Sequence, residues 1–313
     1  MAGMPAAVAA EVRKMGTALD GAVPAKRAKN LLIASWNLRA FGALTEKWDA
    51  KSKDSPKRDW HAVALIAELV SHFDVIAIQE VRRDTTALRF LLGELGKDWR
   101  FITSDVTEGD AGNDERLTFV YDSTRVEPSG LVGEVVLPPA VDKASAQFAR
   151  TPYAASFSRG QVEFILTTVH VVWGSKAQRV PELERFAQWM RAWADRPKDW
   201  NENLLVLGDF NIDRLGNPLF EAFVSTGLWP PPELNDVPRT LFDNDKKKNF
   251  YDQIAWFKAL DPAAPLAELM TSMSYTGKAG SFDFVPFAFS GMTRNEVSWR
   301  ISDHYPLWVE FAI

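Results

Sequence analysis

The chain is 313 residues long, 46% hydrophobic, and carries a formal charge of −5 with no cysteine. A core of useful size is therefore available, while a disulfide framework and any thiolate metal site are excluded; a metal has to be held by carboxylate, amide oxygen or imidazole, which suits Mg²⁺ or Mn²⁺. The acidic balance opposes broad affinity for polyanions, which needs clustered Lys and Arg, although a bound divalent cation reverses the sign locally.

Residues 1–30 are Ala-rich, and Val8, Val12, Met15 and Leu19 recur at helical spacing before Gly21 and Pro24 end the pattern. A helical extension is expected there, ahead of a single domain spanning 31–313. From Leu31, short apolar runs alternate with amphipathic stretches: Leu31–Trp36 reads as a strand, Trp60–Val70 as a helix, Val75–Gln79 as a strand and Thr85–Leu95 as a helix. Strand patterns then follow one another at Leu117–Tyr121, Gly130–Leu137, Tyr153–Phe157 and Val162–His170, which suggests antiparallel pairing. A helix is expected at Val180–Ala194, a buried-type strand at Leu204–Leu207, and strands again at Gln253–Phe257 and Leu307–Phe311. Two packed sheets with outer helices accommodate this order, and Pro230–Pro232 and Pro262–Pro265 read as surface loops. No run reaches the roughly 18 to 20 apolar residues of a membrane span, and the N-terminus lacks the order of an export leader. The expectation is a cytoplasmic protein with no membrane partner and no obligate protein partner, export of a trimmed chain staying compatible with the sequence.

Polar residues stand where apolar runs end: Asn37 after LLIASW, Glu80 after DVIAIQ, His170 after FILTTV, Asp209 after LLVLG, and Asp303-His304 ahead of YPLWVEF. One such residue only marks a turn; several on neighbouring strands converge at one sheet edge and read as a site. Along an extended GDFN, Asp209 and Asn211 alternate, so both side chains emerge on one face. Of the four histidines, His170 and His304 occupy these segments, whereas His61 and His72 flank an amphipathic helix.

Taken in order, IASWNLRAFG, DVIAIQEVR, LLVLGDFNID, YDQIAW and ISDHYPLWVEF resemble the signature segments of the endonuclease/exonuclease/phosphatase superfamily, most nearly its deoxyribonuclease I-like nucleases. The resemblance covers about residues 31 to 313. It implies a four-layer α/β/β/α sandwich, with two packed mixed sheets flanked by helices and the site between their carboxyl-terminal edges. It also implies a divalent-metal-dependent phosphodiesterase acting on nucleic acid, DNA favoured, with a phosphatase or small-substrate phosphodiesterase of the same fold as the alternative.

On the same resemblance, Glu80, Asn37 and Asp303 form a hard-oxygen set for Mg²⁺ or Mn²⁺. Asp209 and Asn211 hold the attacking water, the phosphate or a second metal. Asp252 orients His304 and Glu115 orients His170, giving two His–carboxylate pairs whose acid and base roles stay open. Arg150 is expected to meet the phosphate, and Arg39 and Arg82 coincide with arginines that approach DNA in the family. For Arg82 surface ion pairing is the competing reading, and Asp213 reads equally as an outer acid or a turn residue. The sequence departs from the nuclease pattern where a groove-reading tyrosine aligns near Asn113 and a basic residue near Asp110. It departs again at Lys246 and Lys247, whose run with Lys248 reads as a solvated loop or a phosphate guide.

Overall fold

The computed structural model describes residues 3–108, 112–137, 148–196, 198–200, 202–244, 248–257 and 270–313. The chain begins with helix α1 (Ala6–Ala22), then β1 (Asn30–Phe41), α2 (Trp60–Val70), β2 (Val75–Arg82), α3 (Thr86–Leu95), β3 (Trp99–Thr103), β4 (Glu115–Asp122) and β5 (Glu127–Glu134). It continues with β6 (Tyr153–Arg159), β7 (Val162–His170), α4 (Lys176–Ala194), β8 (Leu204–Asp209), α5 (Pro218–Val224) and β9 (Leu228–Trp229). It closes with β10 (Asp252–Phe257), β11 (Ser274–Ser281), α6 (Arg294–Arg300) and β12 (Leu307–Ala312). Two six-stranded sheets result, ordered β11-β12-β1-β2-β4-β3 and β5-β6-β7-β8-β10-β9.

The pleat explains the layering. Successive side chains on a strand point to opposite faces, and in the central strands both faces are apolar. Leu31 and Ile33 of β1 join Val75, Phe119, Phe157, Leu166, Leu205 and Val309 in the core between the sheets. Leu32, Ala34 and Trp36 turn the other way, onto Leu65 and Leu69 of α2 and Met15 and Leu19 of α1. On the second sheet Ile165 and Val206 face Phe186 and Met190 of α4. Helices, sheet, sheet and helices are thus the four layers that the sequence led us to expect.

Each sheet contains one parallel pair, β1 with β2 and β7 with β8, and the remaining pairs are antiparallel. The parallel pairs bring the carboxyl ends of four strands to the same end of the sandwich. Successive strand patterns did not mean one antiparallel sheet throughout: β4 lies in the first sheet and β5 in the second, so the chain crosses between layers after Asp122. The strand expected at Gly130–Leu137 begins earlier, at Glu127. Helix α4 starts a turn before Val180, because Ser175 and Gln178 form a capping box; Pro181 lies inside the helix and removes one of its N–H donors. The Pro262–Pro265 loop, Asp110, Lys246 and Lys247 lie outside the described residues.

Candidate active site

The carboxyl ends of β1, β2, β7 and β8 place Asn37, Glu80, His170 and Asp209 around one cleft, and the register sets His170 opposite Asp209 and Asp209 opposite Asp252. Glu80 leaves its strand through a register shift between Ile78 and Val81 and has φ +61, a left-handed conformation that costs a non-glycine residue free energy. Such strain persists where surrounding contacts hold it, and here the Glu80 carboxylate accepts from the Ala40 amide at 2.8 Å. At Gly208, φ is +143 and a Cβ would collide with the Val169 carbonyl, so the glycine before Asp209 is needed for β8 to lie against β7.

Both imidazoles are anchored in the same way. His170 Nδ1 is 2.7 Å from Glu115 Oε2, and His304 Nδ1 is 2.7 Å from Asp252 Oδ2. Each Nε2 then faces Asp209 Oδ2, at 3.7 Å from His170 and 3.9 Å from His304. Burial disfavours both charged rings, but the carboxylates overcome it: His170 is raised by its bond to Glu115, and His304 is raised well above the usual value by Asp252. Burial pushes Asp252 up to about 6 against the pull of His304. Glu80 goes the other way: burial opposes its charge, yet His170, the Ala40 amide and Asn37 hold it down at about 2.

Asp209 accepts from Asn37 Nδ2 at 3.0 Å and from the Asn211 amide at 2.9 Å. The segment is not extended through Asn211 as expected: φ there is +50, and the Asn211 side chain donates to the Val171 carbonyl at 2.7 Å. A turn, not strand alternation, sets Asp209 beside Asn211. Asp213 is held by Arg179 at 2.9 Å and so serves the loop around the site.

The arginines separate into two kinds. Arg150 is buried, with Nε 2.7 Å from Glu115 Oε2 and its NH1 group without a partner among the described residues. Arg82 lies at the rim, 3.7 Å from both Glu80 and Glu115. Arg39 lies 3.6 Å from Asp303, bonds Ser298 at 3.0 Å, and stacks over Trp299 with Cζ 3.6 Å from the ring centroid. Asn113, where the nuclease pattern has a tyrosine, is exposed and donates to Glu115 Oε1 at 2.7 Å.

The structure gathers acids and imidazoles into two compact groups among the described residues, Glu80 with Glu115 and His170, and Asp209 with Asp252 and His304. Asp303 belongs to neither; it stands next to His304 and paired with Arg39. The residues fit a divalent cation: Asn37 Oδ1 is buried without a hydrogen-bond partner among the described residues, and Glu80 is held ionised beside it.

Three residues that position this site carried no signal as isolated letters. Ser302 donates to the Asn37 carbonyl at 2.6 Å and accepts from the His304 amide at 3.1 Å, tying the first and last segments together. Gln79 reaches from β2 to Thr168 of β7 at 2.9 Å, bridging the two sheets beside the site. Arg58, buried, donates to the Arg39, Ala40, Arg300 and Ile301 carbonyls at 2.7 to 3.0 Å, and burial lowers its guanidinium to about 10. The Ser of the SDH segment was within reach of sequence reading; the other two required the fold.

The sequence model of the endonuclease/exonuclease/phosphatase family matches residues 34–304, from β1 through His304. The chain belongs to this family. Members of the endonuclease/exonuclease/phosphatase family are phosphoric-ester hydrolases that depend on a divalent metal. Among solved structures, a mannosyl-6-phosphatase from Bacteroides thetaiotaomicron is similar at 18% identity and a TM-score of 0.57, over 90% of this chain and 100% of that one. D. rerio TDP2 complexed with single strand DNA product is similar at 14% identity and a TM-score of 0.58, over 91% of this chain and 99% of that one. The human Nocturnin catalytic domain with bound sulfate is similar at 13% identity and a TM-score of 0.54, over 92% and 96%. At these identities the likeness shows the shared fold. No curated protein matches at the level of sequence.

Proposed function

We propose that this chain is a divalent-metal-dependent phosphodiesterase that hydrolyses the backbone of a nucleic acid, DNA before RNA, by direct attack of water on phosphorus. The observation that carries the hydrolytic part is the pair of Nδ1-anchored imidazoles whose Nε2 atoms face the same Asp209 oxygen, at 3.7 and 3.9 Å. Asn37 and Glu80, with Asp303 from the neighbouring segment, would hold Mg²⁺ or Mn²⁺, which when bound neutralises non-bridging phosphate oxygens.

The side chains supply the rest. One imidazole takes a proton from the attacking water as the new P–O bond forms; the other gives a proton to the departing oxygen as the old bond breaks. A phosphodiester and water thus become a phosphomonoester and an alcohol. Asp209 and Asn211 hold the water and the phosphate, and Glu115 and Asp252 fix the imidazole tautomers. The partnerless N–H of Arg150 points to a charge-assisted bond that strengthens as negative charge builds on phosphorus. Arg39 and Arg82 at the rim favour a polymer backbone over a small head group. The acidic charge balance and an asparagine at 113 in place of the groove-reading tyrosine favour the alternative, a phosphatase or small-substrate phosphodiesterase.

The deciding assay offers circular plasmid DNA, a single-stranded oligodeoxynucleotide, a bis-phosphodiester and a phosphomonoester with Mg²⁺ or Mn²⁺, using EDTA and His170→Ala as controls. Nicking that disappears in both controls supports the nuclease. Plasmid and single-stranded oligodeoxynucleotide both left intact, with turnover of the small esters, moves the assignment to the alternative.

A further inference from the structure

Along one side of the cleft three rings stand in series. The His304 and Tyr251 centroids are 6.0 Å apart, and the Tyr251 and Trp173 centroids are 5.7 Å apart at 87°. Trp173 follows His170 by three residues in the turn into α4, and at 65% it is the most exposed of the chain's tryptophans. Its position is nonetheless fixed. Tyr251 meets it edge to face, and the guanidinium of Arg179, itself clamped by Asp213 at 2.9 and 3.2 Å, lies 5.7 Å from its centroid. A tryptophan that served packing would be covered; this one is braced on protein at two contacts and keeps most of its surface in water. Trp299, at 49% exposure near Asp303, differs, because the Arg39 guanidinium already stacks on it.

We propose that Trp173 is a stacking platform for the nucleobase that flanks the scissile phosphate, so that the enzyme takes a strand whose base is unpaired. The inference rests on the nucleic-acid reading above and narrows it. Every base has a π face, so stacking adds affinity without charge, which suits a chain with a formal charge of −5. Inside a duplex those faces are covered by neighbouring bases, and only a terminal, looped or single-stranded base can lie on Trp173.

The test compares kcat/KM for a short oligothymidylate and for an oligomer of equal length built from abasic deoxyribose phosphates. Wild type is expected to prefer the base-bearing oligomer. Trp173→Ala should reduce that preference roughly tenfold, chiefly through KM, and Trp173→Phe should retain most of it. Trp200→Ala, which removes an exposed tryptophan beside Glu163 at the far end of β7, should leave the preference unchanged. Circular dichroism confirms that the variants are folded, as expected for a side chain this exposed. An unchanged preference in Trp173→Ala overturns the platform while the nuclease reading stands, and so does cleavage of duplex plasmid as fast as of the oligothymidylate. If wild type cleaves neither oligomer yet hydrolyses mannose 6-phosphate, the nucleic-acid reading itself falls and takes the platform with it.

Discussion

Asp74 immediately precedes β2 and Glu80 comes near its end, and both are acids in a largely apolar sandwich, yet their surroundings are opposite. Asp74 is fully buried and its oxygens are filled: Arg125 Nε at 2.6 Å, the Leu32 amide at 2.8 Å and Arg159 at 3.2 Å. Nearby, Asn30 bonds Glu310 at 2.7 Å and the Ala25 carbonyl at 3.0 Å. At the other end, Glu80, Glu115, Asp209, Asp252 and Asp303 crowd together, while Asn37 Oδ1, Gln79 Oε1 and Asp252 Oδ1 are buried without hydrogen-bond partners among the described residues. A buried polar group without a partner costs about 1–3 kcal/mol, so several gathered at one place point to a ligand or a reaction that uses them. The first end closes the sandwich; the second holds unmet hydrogen-bonding capacity, which the proposed function would use for a cation and a phosphate.

The sharpest way to break this comparison is to change one residue at each end and read both stability and turnover. His304→Ala should lower kcat by roughly 10²–10⁴-fold with only a modest fall in the urea midpoint, which comes from the bond that buried Asp252 loses. Asp74→Ala should do the reverse. It takes the acceptor from the buried Leu32 amide and the shared anion from two part-buried guanidiniums, a loss of about 3–5 kcal/mol in urea unfolding, and the folded fraction should keep its kcat. If Asp74→Ala removed activity in fully folded protein, the two ends would be coupled and the separation argued here would be wrong.

This division also explains what was legible in the sequence. The segments of the candidate site stood out because polar residues there end apolar runs, and Asn37, Glu80, His170, Asp209 and His304 all interrupt such runs. The four layers were legible because β1, β2, β7 and β8 are apolar on both faces. By contrast, β11 reads SYTGKAGS, an exposed edge strand with no alternation to detect, and α5 and α6 are seven residues each, too short for a helical period to show. The left-handed backbone at Glu80 and Asn211 could not be read either, because neither residue type demands it; tertiary contacts impose it. The Asp74 network was also silent, since its members are distant in sequence and only the fold makes Arg125 and Arg159 neighbours.

A cation can be detected without measuring catalysis. Mg²⁺ or Mn²⁺ should raise the Tm of wild type, because a ligand at about a hundred times its Kd stabilises the folded state by about 2.7 kcal/mol. Glu80→Gln keeps the side-chain shape but removes the charge, and it should lose most of that metal-induced shift. An equal shift in wild type and Glu80→Gln would place the cation elsewhere, with the Asp209, Asp252 and His304 group the next candidate.

The smallest effect is expected at the closed end, where Glu310 is buried on β12 and receives hydrogen bonds from Asn30 at 2.7 Å and Thr276 at 3.0 Å. Burial opposes its charge, but the bonds from Asn30, Thr276 and Lys278 win, and its pKa lies below the usual carboxylate value. A group depressed in the folded state contributes stability that is present above its unfolded pKa and is lost as pH falls through the folded one. Glu310→Gln should therefore cost about 1 kcal/mol at neutral pH, where the charge-assisted bonds are intact. The difference from wild type should shrink steadily as the pH is lowered through the acidic range, because the wild-type carboxyl then becomes as neutral as the amide. Urea midpoints at neutral and acidic pH measure this directly. A difference that grew on acidification would mean that Glu310 is held in its protonated form, contrary to the closed and fully paired character assigned to this end.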